Sequence, residues 1–231
     1  VLALENINQY YKQSHTLWDL SLKIETAKCT CIMGRNGVGK TTLAKVIMGL
    51  LPLKEGKILF EDKDIATSGS DKRAGLGIGY VPQGREIFPQ LSVKENLEIG
   101  LLGNRNGLKK VPQKVYDLFP VLKDMLKRKG GDLSGGQQQQ LAIGRALCLE
   151  PKMLILDEPS EGIQPNIVQQ IGSVIDYLTK EEKITVLLVE QKLPFAKKHA
   201  DTFFILERGR VVANAKMSQL SDDIVKQYLS V

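Results

Sequence analysis

The sequence predicts an α/β fold: a mostly parallel sheet flanked by helices, with a helical block inserted between its strands. Three observations predict it. Apolar runs such as "KCTCIM", "KMLILDEP" and "TVLLVEQK" lack period-2 alternation, which is how strands covered on both faces read. Segments with apolar residues at helical spacing, such as "TLAKVIMGLL" and "PNIVQQIGSVIDYL", alternate with these runs. From about Ser92 to Cys148 the alternation stops and the pattern turns helical throughout.

In chain order, "ALENI", "LWDLSLKI" and "KCTCIM" are strand-like runs separated by polar turns. "GRNGVGKTT" then opens a helix over "TLAKVIMGLL", with Pro52 just beyond as a stop signal. "GKILFEDKDI" reads as a hairpin strand and "GIGYVPQ" as a short buried strand halted by Pro82. In the helical block, Ser92 with Glu95 makes a capping-box signature for "SVKENLEIGLL", and "VPQKVYDLFPVLKDMLKR" carries apolar residues at helical spacing. The strand "KMLILDEP", a helix near "PNIVQQIGSVIDYL", the strand "ITVLLVEQ", a helix near "KLPFAKKHA" and the strands "TFFILERG" and "RVVANA" complete the chain. The expected organisation is one domain over residues 1–231. Its core covers 1–88 and 149–215, its helical subdomain 89–148, and a C-terminal helix 216–231.

The 231 residues suffice for one large α/β domain, and 42% hydrophobic with 25% charged residues argues against disorder. No stretch approaches the ~20 apolar residues of a membrane-spanning helix. The N-terminal "VLALENINQYYKQ" lacks the layout of a signal peptide, so a cytoplasmic chain is expected. The net charge of +6 permits contact with phosphates, an anionic membrane surface or nucleic acid without choosing among them. Cys29, Cys31 and Cys148 read as small buried hydrophobes, because two cysteines pointing the same way along one strand pair poorly.

Three motifs carry chemistry. Gly34-Arg35-Asn36-Gly37-Val38-Gly39-Lys40-Thr41, continuing into Thr42, fits G-x-x-x-x-G-K-[ST] and lies between a strand and a helix, as phosphate binding requires. Gly34, Gly37 and Gly39 let backbone amides around Asn36 curl about a phosphate, Lys40 reaches the β- and γ-phosphates, and the Thr41 hydroxyl ligates Mg²⁺. "MLILDEP" ends a buried strand on two acids; Asp157 would orient the Mg²⁺ shell and Glu158 would polarise an attacking water. In "DLSGGQQQQLAIGRAL", Leu133-Ser134-Gly135-Gly136-Gln137 sets a hydroxyl, exposed backbone amides and a side-chain amide at a second helix start. One nucleotide hardly needs both anion sites from one chain.

These motifs resemble the P-loop, Walker B and signature sequences of ATP-binding cassette (ABC) transporter nucleotide-binding subunits, over nearly the whole chain. The resemblance implies a P-loop NTPase (RecA-like) core with an antiparallel β subdomain and an inserted α-helical subdomain. It implies ATP and Mg²⁺ as ligands, and a head-to-tail dimer with a second homologous ATPase subunit. In that dimer each ATP lies between one P-loop and the partner's signature, held there by Ser134, Gly136 and Gln137. It implies two membrane permease subunits, a periplasmic binding protein, a place on the cytoplasmic face of the bacterial inner membrane, and no nucleic-acid partner. Tyr11 matches the aromatic that stacks on adenine, with Tyr10 a rival and a packed strand aromatic the alternative. Gln83, in "YVPQGREIF", matches the glutamine that contacts Mg²⁺ or water and faces the membrane subunit. The phrases "GIGYVPQGREIFPQLSVKENL" and "DEPSEGIQPNIVQQIG" are similar to ATPase subunits of bacterial urea importers, a branch of the branched-chain amino acid importers.

Two positions depart from the common pattern. Gln191 stands where many members place a histidine that contacts the γ-phosphate, and Gln164 stands where an aspartate is common. Glutamine donates a hydrogen bond but carries no proton or charge near neutral pH. The resulting expectation is a pair of unequal ATP sites, the one holding Gln191 being slower. Two other functions are compatible with the motifs: a soluble ABC ATPase acting on ribosomes or nucleic acid, and a nucleotide-binding regulatory module without hydrolysis.

Overall fold

The computed structural model describes residues 1–229. Strands β1 (Leu2–Tyr11), β2 (Ser14–Ile24), β4 (Glu55–Phe60) and β5 (Lys63–Asp64) form an antiparallel sheet in the order β2-β1-β4-β5, with β3 (Cys29–Met33) and α1 (Lys40–Met48) lying between them in sequence. Next come α2 (Ser70–Gly75) and β6 (Ile78–Val81), then the helical block: α3 (Val93–Leu101), α4 (Gln113–Leu118), α5 (Pro120–Asp124) and α6 (Gly135–Leu147). The chain returns through β7 (Met153–Asp157), α7 (Pro165–Lys180), β8 (Thr185–Val189), α8 (Leu193–His199), β9 (Thr202–Glu207), β10 (Arg210–Lys216) and α9 (Asp222–Tyr228). The second sheet runs β10-β9-β3-β8-β7-β6, parallel except for the antiparallel edge strand β10.

The missing alternation now has its cause. Cys31, Leu154, Leu156, Val186 and Leu188 face one apolar cluster with the helical block, α7 and α8. Their neighbours Ile32, Met153, Ile155, Leu187 and Val189 face another, filled by α1 and the antiparallel sheet. Both faces are dry, so apolar residues follow one another along these strands without alternation. Leu43, Val46 and Ile47 of α1 are fully buried between the sheets, and truncating Leu43 or Ile47 to alanine would cost about 2–5 kcal/mol. The three cysteines are buried and unbridged, with Cys29 and Cys31 on the same face of β3.

The segment "VPQKVYDLFPVLKDMLKR", with its apolar residues at helical spacing, forms two helices, α4 and α5, parted at Phe119, whose φ of −133° and ψ of 72° leave the helical region. Pro120 disfavours the α conformation for its predecessor, and the fully buried Phe119 ring anchors the break. The C-terminal helix is shorter than residues 216–231: Lys216 still belongs to β10, and Ser221 caps α9 only from Asp222. Residues 230–231 lie outside the described part. Among the described residues no helix is long and apolar enough to cross a membrane.

Candidate nucleotide site

Strand register brings four chain segments to one edge of the parallel sheet. Val189 lies beside both Ile32 and Asp157, and Leu156 lies beside Val81. The loop from Gly34, the acids at 157–158, Gln191 and Gln83 therefore emerge together past the carboxyl ends of β3, β7, β8 and β6, where ligands of such sheets bind. Gly34 has φ 146°, and a β-carbon there would sit 2.4 Å from the Leu206 carbonyl oxygen. Gly39, at φ 108°, starts α1 with no side chain capping its first amides. Uncapped amides at the positive end of a helix dipole make an anion site, with Asn36 and Gly37 exposed on the loop and Thr42 buried in the first turn.

Lys40 is 5% exposed; its Nζ donates to the carbonyls of Gly34 and Arg35, both at 2.9 Å, and lies 4.0 Å from Glu158 Oε1. The ammonium is thus folded into its own loop, and burial lowers its pKa against the opposing pull of Glu158 and Asp157. Thr41 Oγ1 donates to Asp157 Oδ1 at 3.2 Å, and the Tyr80 hydroxyl to Oδ2 at 3.4 Å. Desolvation pushes Asp157 up to about 6, against the two hydroxyl donors. A carboxylate 1% exposed, whose hydrogen-bond donors are two neutral hydroxyls, is suited to a divalent cation, and hydroxyl, carboxylate and amide oxygens are the hard donors that Mg²⁺ takes. Among the described residues no three His, Cys, Asp or Glu side chains converge, so a cation here would draw its other ligands from phosphate and water.

Glu158, Gln83 and Gln191 meet directly. Gln83 Nε2 donates to Glu158 Oε2 at 3.2 Å and to Glu161 at 2.9 Å, and Gln191 Nε2 donates to Glu158 Oε1. Glu158 has φ 50°, a left-handed conformation rare outside glycine and often kept at functional sites. Tyr80 and Glu161 join the cluster without any signal in the sequence, because their partners lie 77 and 78 residues away.

The adenine candidates separate by geometry. Tyr10 stacks on His15 with centroids 4.0 Å apart, and Lys54 Nζ sits 4.6 Å from its ring centre. Tyr11, at the end of β1, is 45% exposed. At the second helix start, Ser134 and Gln137 form a capping box on α6: Gln137 Oε1 accepts from Ser134 N at 2.9 Å, and Ser134 Oγ accepts from Gln137 N at 3.4 Å. The box uses the serine as acceptor and leaves its hydroxyl proton to donate. Ser134, Gly136 and Gln137 line a cavity of about 450 Å³ with Gly162, Gln164 and Ile167, and no residue of the Gly34–Thr41 loop reaches it.

Residues 17–161 match the family model described as ABC transporter. The chain is 38% identical over 213 residues, 92% of its length and 91% of the relative's, to a high-affinity branched-chain amino acid transport ATP-binding protein, BraG, of Pseudomonas aeruginosa. It is 35% identical to a probable branched-chain amino acid transport ATP-binding protein, LivF, of Archaeoglobus fulgidus, over 95% of this chain and 94% of that one. A crystal structure of a nucleotide-free ATP-binding cassette from an ABC transporter superposes with a TM-score of 0.83 at 30% identity, covering 100% of this chain and 95% of that one. The chain belongs to the ABC transporter family, as one of its ATP-hydrolysing cassettes.

Proposed function

We propose that the chain is the ATPase subunit of a bacterial importer and that its ATP is held between two cassettes. The observation that carries this reading is the split geometry. The Gly34–Thr41 loop and the Gln83–Glu158–Gln191 cluster share one sheet edge, while Ser134, Gly136 and Gln137 line a separate cavity. A second homologous ATPase subunit, turned head to tail, would supply the missing half. Lys40 exchanges the Gly34 and Arg35 carbonyls for β- and γ-phosphate oxygens, the α1 amides hold the phosphates, and Tyr11 stacks on the adenine. Thr41, Asp157 and Gln83 would hold Mg²⁺, which when bound offsets the negative charge of the phosphates. Glu158 accepts a proton from the attacking water, whose oxygen bonds to the γ-phosphorus as the bond to the bridging oxygen breaks and ADP leaves. Gln191 holds Glu158 and faces the γ-phosphate.

Motion at this site has a route outward. Arg85 reaches Gln138 of α6 at 3.4 Å, and Arg145 of α6 donates to the Glu86 carbonyl at 2.8 Å. The segment after Gln83 thus ties Glu158 to the helical block, beside a groove lined by Leu50, Tyr80, Glu86 and Gly103. We assign this groove to one of two membrane permease subunits. The cassette then sits on the cytoplasmic face of the inner membrane, with a periplasmic binding protein delivering solute and no nucleic acid involved.

Urea is the solute read from the phrases around Gln83 and Glu158. The names of the curated relatives favour a second reading, branched-chain amino acids. Uptake of radiolabelled urea and leucine by cells carrying the wild-type chain or Glu158→Gln decides between them. Urea uptake lost with the variant supports the first reading, leucine uptake lost supports the second, and neither affected refutes both.

A further inference from the structure

We infer that Glu190 is a positioning residue, which fixes Gln191 and the segment carrying Glu158 in one rigid unit. The inference rests on the ATPase reading above. Glu190 is 2% exposed and forms no ion pair among the described residues. A carboxylate so buried requires donors, and it has three. Its Oε1 accepts the backbone N–H groups of Gln191 and Lys192, both at 2.9 Å, and its Oε2 accepts the Ser160 hydroxyl at 2.7 Å. The first two bonds close a tight turn immediately after β8, so the backbone that carries the Gln191 amide is set by the side chain preceding it. The third crosses to Ser160, fully buried and two residues beyond Glu158.

A second tether doubles the crossing: Lys192 Nζ donates to the Ser160 carbonyl at 2.7 Å. Below it, Glu158 N donates to the Val189 carbonyl at 2.9 Å. Residues on both sides of Gln191 therefore grip Ser160, and the Gln191–Glu158 bond spans a frame already closed by three others. Further along the same segment, Ile167 packs against Gly136, where a β-carbon would come within 3.0 Å of it. Ser160 thus lies on the stretch that joins the proposed base to the signature, and Glu190 holds its near end. The length of the Glu190 side chain matters, since aspartate would draw the carboxylate back by one methylene and could not span both the turn and Ser160. Glutamine keeps the reach, its oxygen accepting from the two amides and its Nε2 donating to Ser160 Oγ.

The test is steady-state phosphate release by the full chain with its partner subunits, alongside equilibrium binding of a fluorescent ATP analogue. Glu190→Asp and Ser160→Ala should each lower kcat about tenfold, the size expected for one charge-assisted bond, with KM and analogue affinity within about twofold. Glu190→Gln should restore most of the rate. The Ser160→Ala/Glu190→Asp pair should be no slower than Glu190→Asp alone, because both remove the same bond. Ser160→Ala removes only a hydroxyl and keeps the test open if Glu190→Asp fails to fold. The inference is overturned by unchanged kcat in Ser160→Ala, by equal losses in kcat and nucleotide affinity, or by multiplicative losses in the pair. A wild-type assembly that releases no phosphate overturns the ATPase reading and this inference together; active wild type with indifferent variants overturns only the latter.

Discussion

Replacing Gln191 tests how the proposed base is held. Glu158 Oε1 accepts from Gln191 Nε2, Glu158 Oε2 accepts from Gln83 at 3.2 Å, and Lys40 lies 4.0 Å away. A hydrogen bond to a charged group is worth about 1.5–3 kcal/mol, and each 1.36 kcal/mol is about tenfold in rate. Gln191→Ala leaves Gln83 and Lys40 in place, so the loss falls at the lower end, about 10- to 30-fold in kcat. KM for ATP should stay near the wild-type value, because the phosphate loop is untouched. Gln191→His keeps a donor and adds a side chain that charges below its ordinary pKa of about 6.5. A positive charge near the developing phosphate oxygens should raise kcat above wild type at about pH 6.5 and bring a pH dependence that the amide cannot produce. The assay is phosphate release from about pH 6 to 9, with the chain assembled with its partner ATPase. Gln191→Ala turning over at the wild-type rate would refute the holding role. Gln191→His no faster than wild type at the acid end would refute the idea that an uncharged amide slows this site.

Three further outcomes are expected. Glu158→Gln keeps the shape of the site but removes the proton acceptor, so it should cut kcat by about 10²–10⁴ and accumulate an ATP-bound dimer on gel filtration; a monomer at saturating ATP and Mg²⁺ counts against the two-cassette site. Asp157, raised to about 6 by burial, stabilises the ligand-free fold through its proton below the ordinary carboxylate range, and that contribution is lost as pH rises through about 6. In chelator, Asp157→Asn should therefore raise the melting temperature at about pH 8 and not below about pH 4, and an equal shift at both would refute the burial argument. Arg73 is 2% exposed and donates to four carbonyls, those of Val46 and Ile47 at the end of α1 and those of Ala66 and Ser68. Arg73→Met should cost about 3 kcal/mol in urea unfolding, and a change below about 1 kcal/mol would show that water replaces the guanidinium.

Legibility from sequence followed the range of the physics. The Gly34–Thr41 loop was readable because its constraints are local: a glycine that must approach Leu206 and another at φ 108° leave few alternatives in sequence. The Ser92 cap, with Glu95 three residues on, was readable for the same reason, and so was the helix start at Ser134, though not the capping box that Gln137 closes there. The parallel strands showed as unbroken apolar runs because two separate clusters dry their two faces. Phe119 shows what apolar spacing leaves open: the helical spacing runs on across Pro120, and the break between α4 and α5 is carried by the proline and the buried ring before it. Arg73 and Glu190 illustrate the opposite limit. A lone arginine in "SDKRAG" and a glutamate just past a strand carry no mark of burial, because the Val46 and Ile47 carbonyls and the Ser160 hydroxyl that complete their bonding come from segments brought in by tertiary packing. Their burial turns ordinary charged letters into constraints. In Glu190 that constraint fixes the residue beside it, so Gln191 is specified twice, by its own amide and by the carboxylate that sets its backbone.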